Sequence, residues 1–258
     1  MVKAVFFDID GTLVSFRTHS IPASAQLALD MLRQQGIRVF IASGRHLSAI
    51  NNLGSNRFDG YVTINGGQTI IDGRVVDVHA MDAADVRGFA RWVETESRMP
   101  CVFVHPDGMV MNRSNPDVDD LFELLHFPYP PIADLRLAAR KPVLQIIAFF
   151  DAASEPAVMK HLPHCTATRW YPTFSDVVPQ GISKTVGLDC IARHLHIDPS
   201  EMMAFGDGGN DIEMLRYAGI GVAMGNADDA VKAAADYVTT SVDDDGIMNA
   251  LKHFGLIR

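Results

Sequence analysis

Residues 2–13 read VKAVFFDIDGTL. Four apolar residues, 4–7, run without a break into Asp8, Ile9, Asp10, Gly11 and Thr12. A short continuous apolar run closed by turn residues is the pattern of a strand buried on both faces, as in a parallel α/β sheet. The run ends in two carboxylates two residues apart, followed by a glycine that permits a tight backbone. In an open α/β sheet the carboxyl end of a strand is where ligands bind. Alone, the stretch also fits a strand that merely ends in a polar turn, so the rest of the chain has to decide.

Downstream, Ala25, Ala28, Leu29 and Leu32 fall on one helical face, and Gly36 follows as a stop. Residues 37–42 form the next apolar run and end in Ser43, Gly44 and Arg45. Strand, helix and strand at this spacing predict a βαβ unit and a parallel sheet. A short helix is expected over 47–53, a third strand over 58–64 ending in Asn65-Gly66-Gly67, and a hairpin over 68–78 about Asp72-Gly73. Between about 80 and 179 the pattern changes to helices mixed with hairpins, including strands at 101–105, 109–111 and 143–150. That block reads as an α+β module inserted into an α/β domain. The α/β rhythm resumes with an apolar helix face at Leu188, Ile191, Ala192 and Leu195, then a strand at 202–205 that ends in GDGGND at 206–211. The expected domains are therefore 1–79 with 180–258, and 80–179.

The chain has 258 residues, a formal charge of −9, 48% hydrophobic residues and 21% charged ones, which describes a globular protein. The acidic balance argues against a nucleic-acid partner, because phosphate backbones demand clustered Lys and Arg. No apolar run reaches the roughly 18 residues that span a bilayer, and no leader-like segment is read at the start, so a cytoplasmic protein without a membrane partner is expected. Three scattered cysteines form neither a disulfide framework nor a zinc pair. His46 reads as a surface residue at a helix start.

Four polar clusters thus follow or lie beside strand ends: Asp8 with Asp10, Ser43-Gly44-Arg45, Lys184, and Asp207 with Asn210 and Asp211. Carboxylates suit a hard divalent cation. Arg, Lys, hydroxyls and loop glycines suit a phosphate group. The Asp8–Asp10 stretch is not an EF-hand loop, the 206–211 loop lacks dinucleotide spacing, and GISKT at 181–185 lacks the glycine that precedes lysine in a nucleotide P-loop.

Taken together, DIDGT at 8–12, Ser43-Gly44-Arg45, Lys184 in GISK and GDGGND at 206–211 resemble the four motifs of the haloacid dehalogenase-like hydrolases, in family order. Asn65-Gly66-Gly67 resembles a further signature of the Cof-type branch of sugar-phosphate phosphatases. The resemblance implies a Rossmann-like α/β core with an inserted α+β cap of the C2B type, and Mg2+-dependent hydrolysis of small phosphorylated metabolites, sugar phosphates first. It implies Asp8 as nucleophile and metal ligand, and Asp10 as general acid and base with its backbone carbonyl on the metal. Lys184 is implied as the neutralising cation, Asp207 as a metal ligand and Asp211 as a ligand through water. Thr12, Ser43, Gly44 and Asn210 are implied at the phosphate. Arg45 and Asn65 are expected toward the substrate, as are Arg169, Trp170 and Asp176 of the cap, with Tyr171 beside them. A monomer or weak homo-oligomer is expected. A phosphomutase or phosphotransferase shares these motifs, and a non-enzymatic metabolite-binding protein is the third reading.

Overall fold

The computed structural model describes residues 1–125 and 128–257, and every side chain among them except that of Trp170. The chain divides into two compact units: Met1–Arg45, Ile50–Asp77 and Ser183–Arg258 form the first, and His46–Ala49 with Val78–Ile182 form the second.

In chain order the first unit contributes β1 (Ala4–Phe7), α1 (Ala23–Gln34), β2 (Arg38–Ala42), β3 (Gly60–Thr63), β4 (Gln68–Ile71) and β5 (Arg74–Val78). The second contributes α2 (Ala83–Trp92), β6 (Cys101–His105), β7 (Gly108–Met111), α3 (Pro116–Leu124), α4 (Leu135–Ala138), β8 (Gln145–Ala148), α5 (Glu155–Met159), β9 (Cys165–Tyr171) and β10 (Phe174–Pro179). The chain then returns with α6 (Lys184–Leu195), β11 (Met202–Gly206), α7 (Ile212–Tyr217), β12 (Ile220–Ala223), α8 (Asp229–Lys232), β13 (Tyr237–Val238) and α9 (Gly246–His253).

The first unit is an eight-stranded sheet in the order β13-β12-β11-β1-β2-β3-β4-β5. From β13 to β3 neighbouring strands are parallel, and β4 joins β3 antiparallel. β1 sits between β11 and β2, with every residue fully buried. Its side chains alternate between two cores: Val5 and Phe7 pack with Val39, Ile41, Met203 and Phe205, while Ala4 and Phe6 pack with Phe40, Ala42 and Ala204. Hence the run is uniformly apolar, since both faces of a parallel sheet are covered. Phe6 stacks on Phe40 at 4.9 Å and Phe7 on Phe205 at 5.0 Å, which pins the register of the three central strands. Phe7 lies level with Ile41 and Phe205, so the carboxyl ends of β1, β2 and β11 line up along one edge.

The second unit, the inserted cap, is a five-stranded antiparallel sheet in the order β7-β6-β8-β10-β9. One face packs Cys101, Phe103, Ile146, Ala148 and Val177 against Val86, Phe89 and Ala90 of α2, Leu135 of α4 and Val158 of α5. By strand alternation the other face carries Val102, Val104, Ile147 and Val178 together with Gln145 and Asp176, and Gln145 Nε2 donates to Asp176 Oδ1 at 2.7 Å.

Three local expectations are corrected. The helix expected over 47–53 is a single 3-10 turn at Leu47–Ala49. The strand expected over 143–150 is shorter, Gln145–Ala148. His46 is not a surface residue: it is 7% exposed, with Nδ1 at 2.8 Å from Ser48 Oγ.

Candidate active site

The sheet edge brings the polar clusters of the first unit side by side. At its centre is Lys184, the first residue of α6, with no exposed surface. Its Nζ donates to Asp8 Oδ1 and to Asp211 Oδ1, both at 2.6 Å. A buried cation at the positive end of a helix is doubly disfavoured, by lost hydration and by the helix dipole. Burial works against its charge, and Asp211 and Asp8 more than offset it, so the ammonium is held above the ordinary lysine range.

Asp211 is bonded through both oxygens. Its second oxygen accepts the backbone N–H groups of Asp207 at 3.0 Å and Gly208 at 2.9 Å. Asp211 therefore ties the 206–211 loop to Lys184 from below. Asp8, Asp207 and Asp211 each offer an oxygen within 4.8 Å of the others, a donor set of hard oxygens that fits a divalent cation. Burial, with Asp211 and Asp10 nearby, pushes the Asp8 carboxyl up to about 7 despite Lys184. Burial, then Asp8 and Asp211, also pushes Asp207 well above the usual carboxylate range. Such crowding of like charges is what a bound cation relieves.

Asp207 is aimed by two groups. Thr12 Oγ1 donates to Asp207 Oδ1 at 2.7 Å, and Asn226 Nδ2 lies 3.3 Å from Asp207 Oδ2. Thr12, expected at the phosphate, thus spends its hydroxyl hydrogen on this carboxylate and has no exposed surface. Asn226 was not singled out from the sequence. Its Nδ2 also donates to the Gly11 carbonyl at 2.9 Å, and its Oδ1 accepts Val242 N–H at 2.9 Å. The signal for it was present, since Gly225-Asn226 lies one residue beyond a strand of the same sheet. Gly11 has φ +84, and a Cβ there would overlap Asp207 Oδ2, so only glycine fits between the nucleophile loop and that carboxylate.

Arg45, expected toward the substrate, is 6% exposed and grips Asp10 with both arms: Nε to Oδ2 at 2.7 Å and Nη2 to Oδ1 at 2.6 Å. This bidentate geometry fixes the plane of the Asp10 carboxylate. Ser43 Oγ accepts the Arg45 backbone N–H at 3.2 Å. Asn65 Oδ1 accepts Asn210 Nδ2 at 2.9 Å, and Gly44 lies against the Asn65 amide, where a Cβ would meet Nδ2 at 3.0 Å.

In the cap, Arg169 was expected on the substrate side. Its Nη1 instead donates to the carbonyls of Phe150, Pro172 and Phe174 at 2.7, 3.1 and 2.9 Å, and Nη2 to Glu155 Oε2 at 3.1 Å. The guanidinium lies 5.0 Å over the Phe150 ring, so it braces the β9–β10 connection. Asp176 is 5% exposed and bound to Gln145. Tyr171 stacks on Phe174 at 6.1 Å. The Trp170 side chain lies outside the described residues. A second acidic group of the cap, Asp82, Asp85 and His164, is accounted for by local structure: Asp82 caps α2 and Asp85 Oδ2 accepts from His164. No helix among the described residues is long and apolar enough to cross a membrane.

A sequence model of the haloacid dehalogenase-like hydrolases matches residues 5–251. The Bacillus subtilis protein YkrA is 34% identical over 99% of both chains. A solved structure described as the HAD subclass IIB sugar phosphatase BT4131 superposes with a TM-score of 0.94, at 44% identity, over 99% of this chain and 100% of that one. The structure of the phosphatase BT1666 from Bacteroides thetaiotaomicron gives 0.90 at 40% identity, over 100% of this chain and 96% of that one.

Proposed function

The chain belongs to the haloacid dehalogenase-like hydrolases and is a phosphatase of their kind, and on that premise we propose that it is a Mg2+-dependent enzyme of the Cof-type branch, with a C2B cap, acting on small phosphorylated metabolites, hexose and pentose phosphates first. The observation that carries this reading is the buried bridge from Asp8 through Lys184 to Asp211, with Asp207 beside it. Full-length similarity to a sugar phosphatase supports the substrate class.

In this reading Asp8 attacks phosphorus in line. The ester oxygen departs, a mixed anhydride forms on Asp8, and water then cleaves it to release phosphate. Splitting the reaction gives two easier steps in place of one. Lys184 sits 2.6 Å from the attacking carboxylate and offsets the repulsion between that anion and the phosphoryl dianion. Asp10 gives a proton to the departing alkoxide, a poor leaving group, and takes one from the water in the second step. Arg45 holds both Asp10 oxygens and so fixes the direction in which their remaining lone pairs face the proton. Asp8 and Asp207, with the Asp10 carbonyl, would hold the cation; Asp211 acts by fixing Lys184 and the loop beneath. A bound divalent cation would supply the positive charge that returns Asp8 to its nucleophilic carboxylate form. Ser43, Gly44 and Asn210 are the remaining phosphate contacts of the proposal, and recognition of the sugar falls to cap residues, Asp176 first.

A panel of phosphate esters assayed for released phosphate and for product identity tests this. Several sugar phosphates should be hydrolysed with Mg2+ and none after chelation. A hexose phosphate isomer formed without free phosphate would replace hydrolysis by mutase chemistry, and one sharply preferred ester outside the sugars would overturn the substrate class.

A further inference from the structure

Three consecutive residues in the first unit, Ile64, Asn65 and Gly66, have positive φ: 56, 51 and 96°. The first two are not glycine, and Ile64 is β-branched and fully buried. Left-handed backbone is unfavourable at such residues and persists only where the surroundings hold it. Together the residues of this turn touch three of the motifs. Ile64 N–H donates to the Arg45 carbonyl at 3.1 Å, and Asn65 N–H to the Ser43 carbonyl at 3.1 Å. The Asn65 amide lies on Gly44 and accepts from Asn210 at 2.9 Å. Gly66 lies so close to Ser183 that a Cβ would overlap the Ser183 carbonyl oxygen. That carbonyl accepts Val186 N–H at 3.0 Å in the first turn of α6, the turn that carries Lys184.

We propose that the left-handed turn Ile64–Asn65–Gly66 is a positioning element that sets the register of Lys184 against Asp8, and of the 206–211 loop against the Ser43–Arg45 segment. It rests on the phosphatase reading for its link to rate, but not for its effect on where Lys184 sits. The strain is retained because a relaxed turn would move Gly66 off Ser183 or withdraw the Asn65 amide from Asn210.

The test compares Gly66→Ala, Asn65→Gly and a control, Gly73→Ala, in the full chain. Gly73 has φ +73 and nothing within 4 Å of an added Cβ, so its variant carries the left-handed penalty without the steric push. Three quantities are read: kcat and KM with p-nitrophenyl phosphate and Mg2+, thermal midpoint, and the labelling of Lys184 in a brief acetic anhydride pulse followed by mass spectrometry. Gly66→Ala should lower kcat by about 10²-fold with KM changed less than about threefold, the scale of a small misplacement of a catalytic group. It should also raise Lys184 labelling by about tenfold, since the native amine is fully buried and bonded to both Asp8 and Asp211. Gly73→Ala should lose some thermal stability, less than Gly66→Ala, and keep kcat within about twofold. Asn65→Gly relieves strain, so its midpoint should hold or rise while kcat drops about tenfold. The proposal is overturned by a folded Gly66→Ala variant with native kcat and a protected Lys184, or by Gly73→Ala losing as much activity as Gly66→Ala. If Gly66→Ala does not fold, an Asn65→Gly variant with native kcat overturns it as decisively. Wild-type protein that released no phosphate would defeat the phosphatase reading, and the labelling comparison would still stand.

Discussion

The two units treat buried polar groups in opposite ways. In the first, Asp8, Thr12, Lys184, Asp207 and Asp211 are joined by hydrogen bonds of 2.6–3.0 Å into one network along the strand ends, and Arg45 holds Asp10 separately at the same edge. In the cap, polar groups are buried in separate places, and several lack partners. Among the described residues, Arg113 Nε, Gln145 Oε1, Arg169 Nε, Thr173 Oγ1 and Ser175 Oγ of the cap have none, against Asn52 Oδ1 and Thr185 Oγ1 of the first unit. An unmet buried polar group costs about 1–3 kcal/mol. Groups that handle charge have to be fixed beforehand, because reorganising them during reaction costs rate, and the joined carboxylates and ammonium of the first unit meet that demand.

The contrast is tested most severely by Asp8→Asn, which should cut phosphate release by about 10³-fold or more in steady-state assays. The same variant carries a pH signature in metal-free protein. A carboxyl raised to about 7 in the fold binds its proton more tightly there than in the unfolded chain. Its contribution to stability is therefore present at low pH and lost as pH rises through about 7. Melting midpoints without metal should thus favour Asp8→Asn over wild type at pH 8 by about 3 °C or more, and favour it less at pH 5. Next comes Lys184→Met, which strands two buried carboxylates: kcat should fall about 10³-fold, and the fold should weaken by about 3–5 kcal/mol in urea titrations. Arg45→Lys keeps the charge and loses the fork, so kcat should fall about tenfold on alkyl phosphates and less on p-nitrophenyl phosphate, whose leaving group needs no proton. The smallest effect belongs to the cap. Asp176→Asn should leave p-nitrophenyl phosphate turnover within about twofold and shift kcat/KM ratios between sugar phosphates by up to about tenfold. If instead it silenced every ester alike, the division between the two units would be wrong.

How much of this was legible depended on whether the signal was local. β1 could be read because a fully buried parallel strand leaves an unbroken apolar run, and the hairpin at Asp72-Gly73 because both residues take positive φ. The parallel sheet and the inserted cap followed from the change of rhythm. Pairings between distant residues could not be read the same way. The Arg45 fork on Asp10 spans 35 positions, and nothing in Ser43-Gly44-Arg45 says which anion the arginine meets. Asn226 reaches back 215 positions to Gly11. Arg169 looked like a ligand-facing cation because sequence cannot show three carbonyls converging on one guanidinium. Nor did Asn65-Gly66-Gly67 disclose that its left-handed turn begins one residue earlier, at an isoleucine that local preference would place elsewhere.

The central place of β1 has a consequence for how the molecule is made. One neighbour, β2, follows within some thirty positions, whereas the other, β11, lies beyond the whole cap; Thr12 meets Asp207 across 195 positions and Asp8 meets Lys184 across 176. On the ribosome, an apolar strand with an unpaired edge therefore waits while the cap is synthesised and can fold as a local unit. Long-range parallel pairing is slow, so this interval is when the nascent chain is open to aggregation and to chaperone capture. The site is complete only after β11 docks beside β1 and brings Asp207 and Asp211 to Asp8 and Lys184.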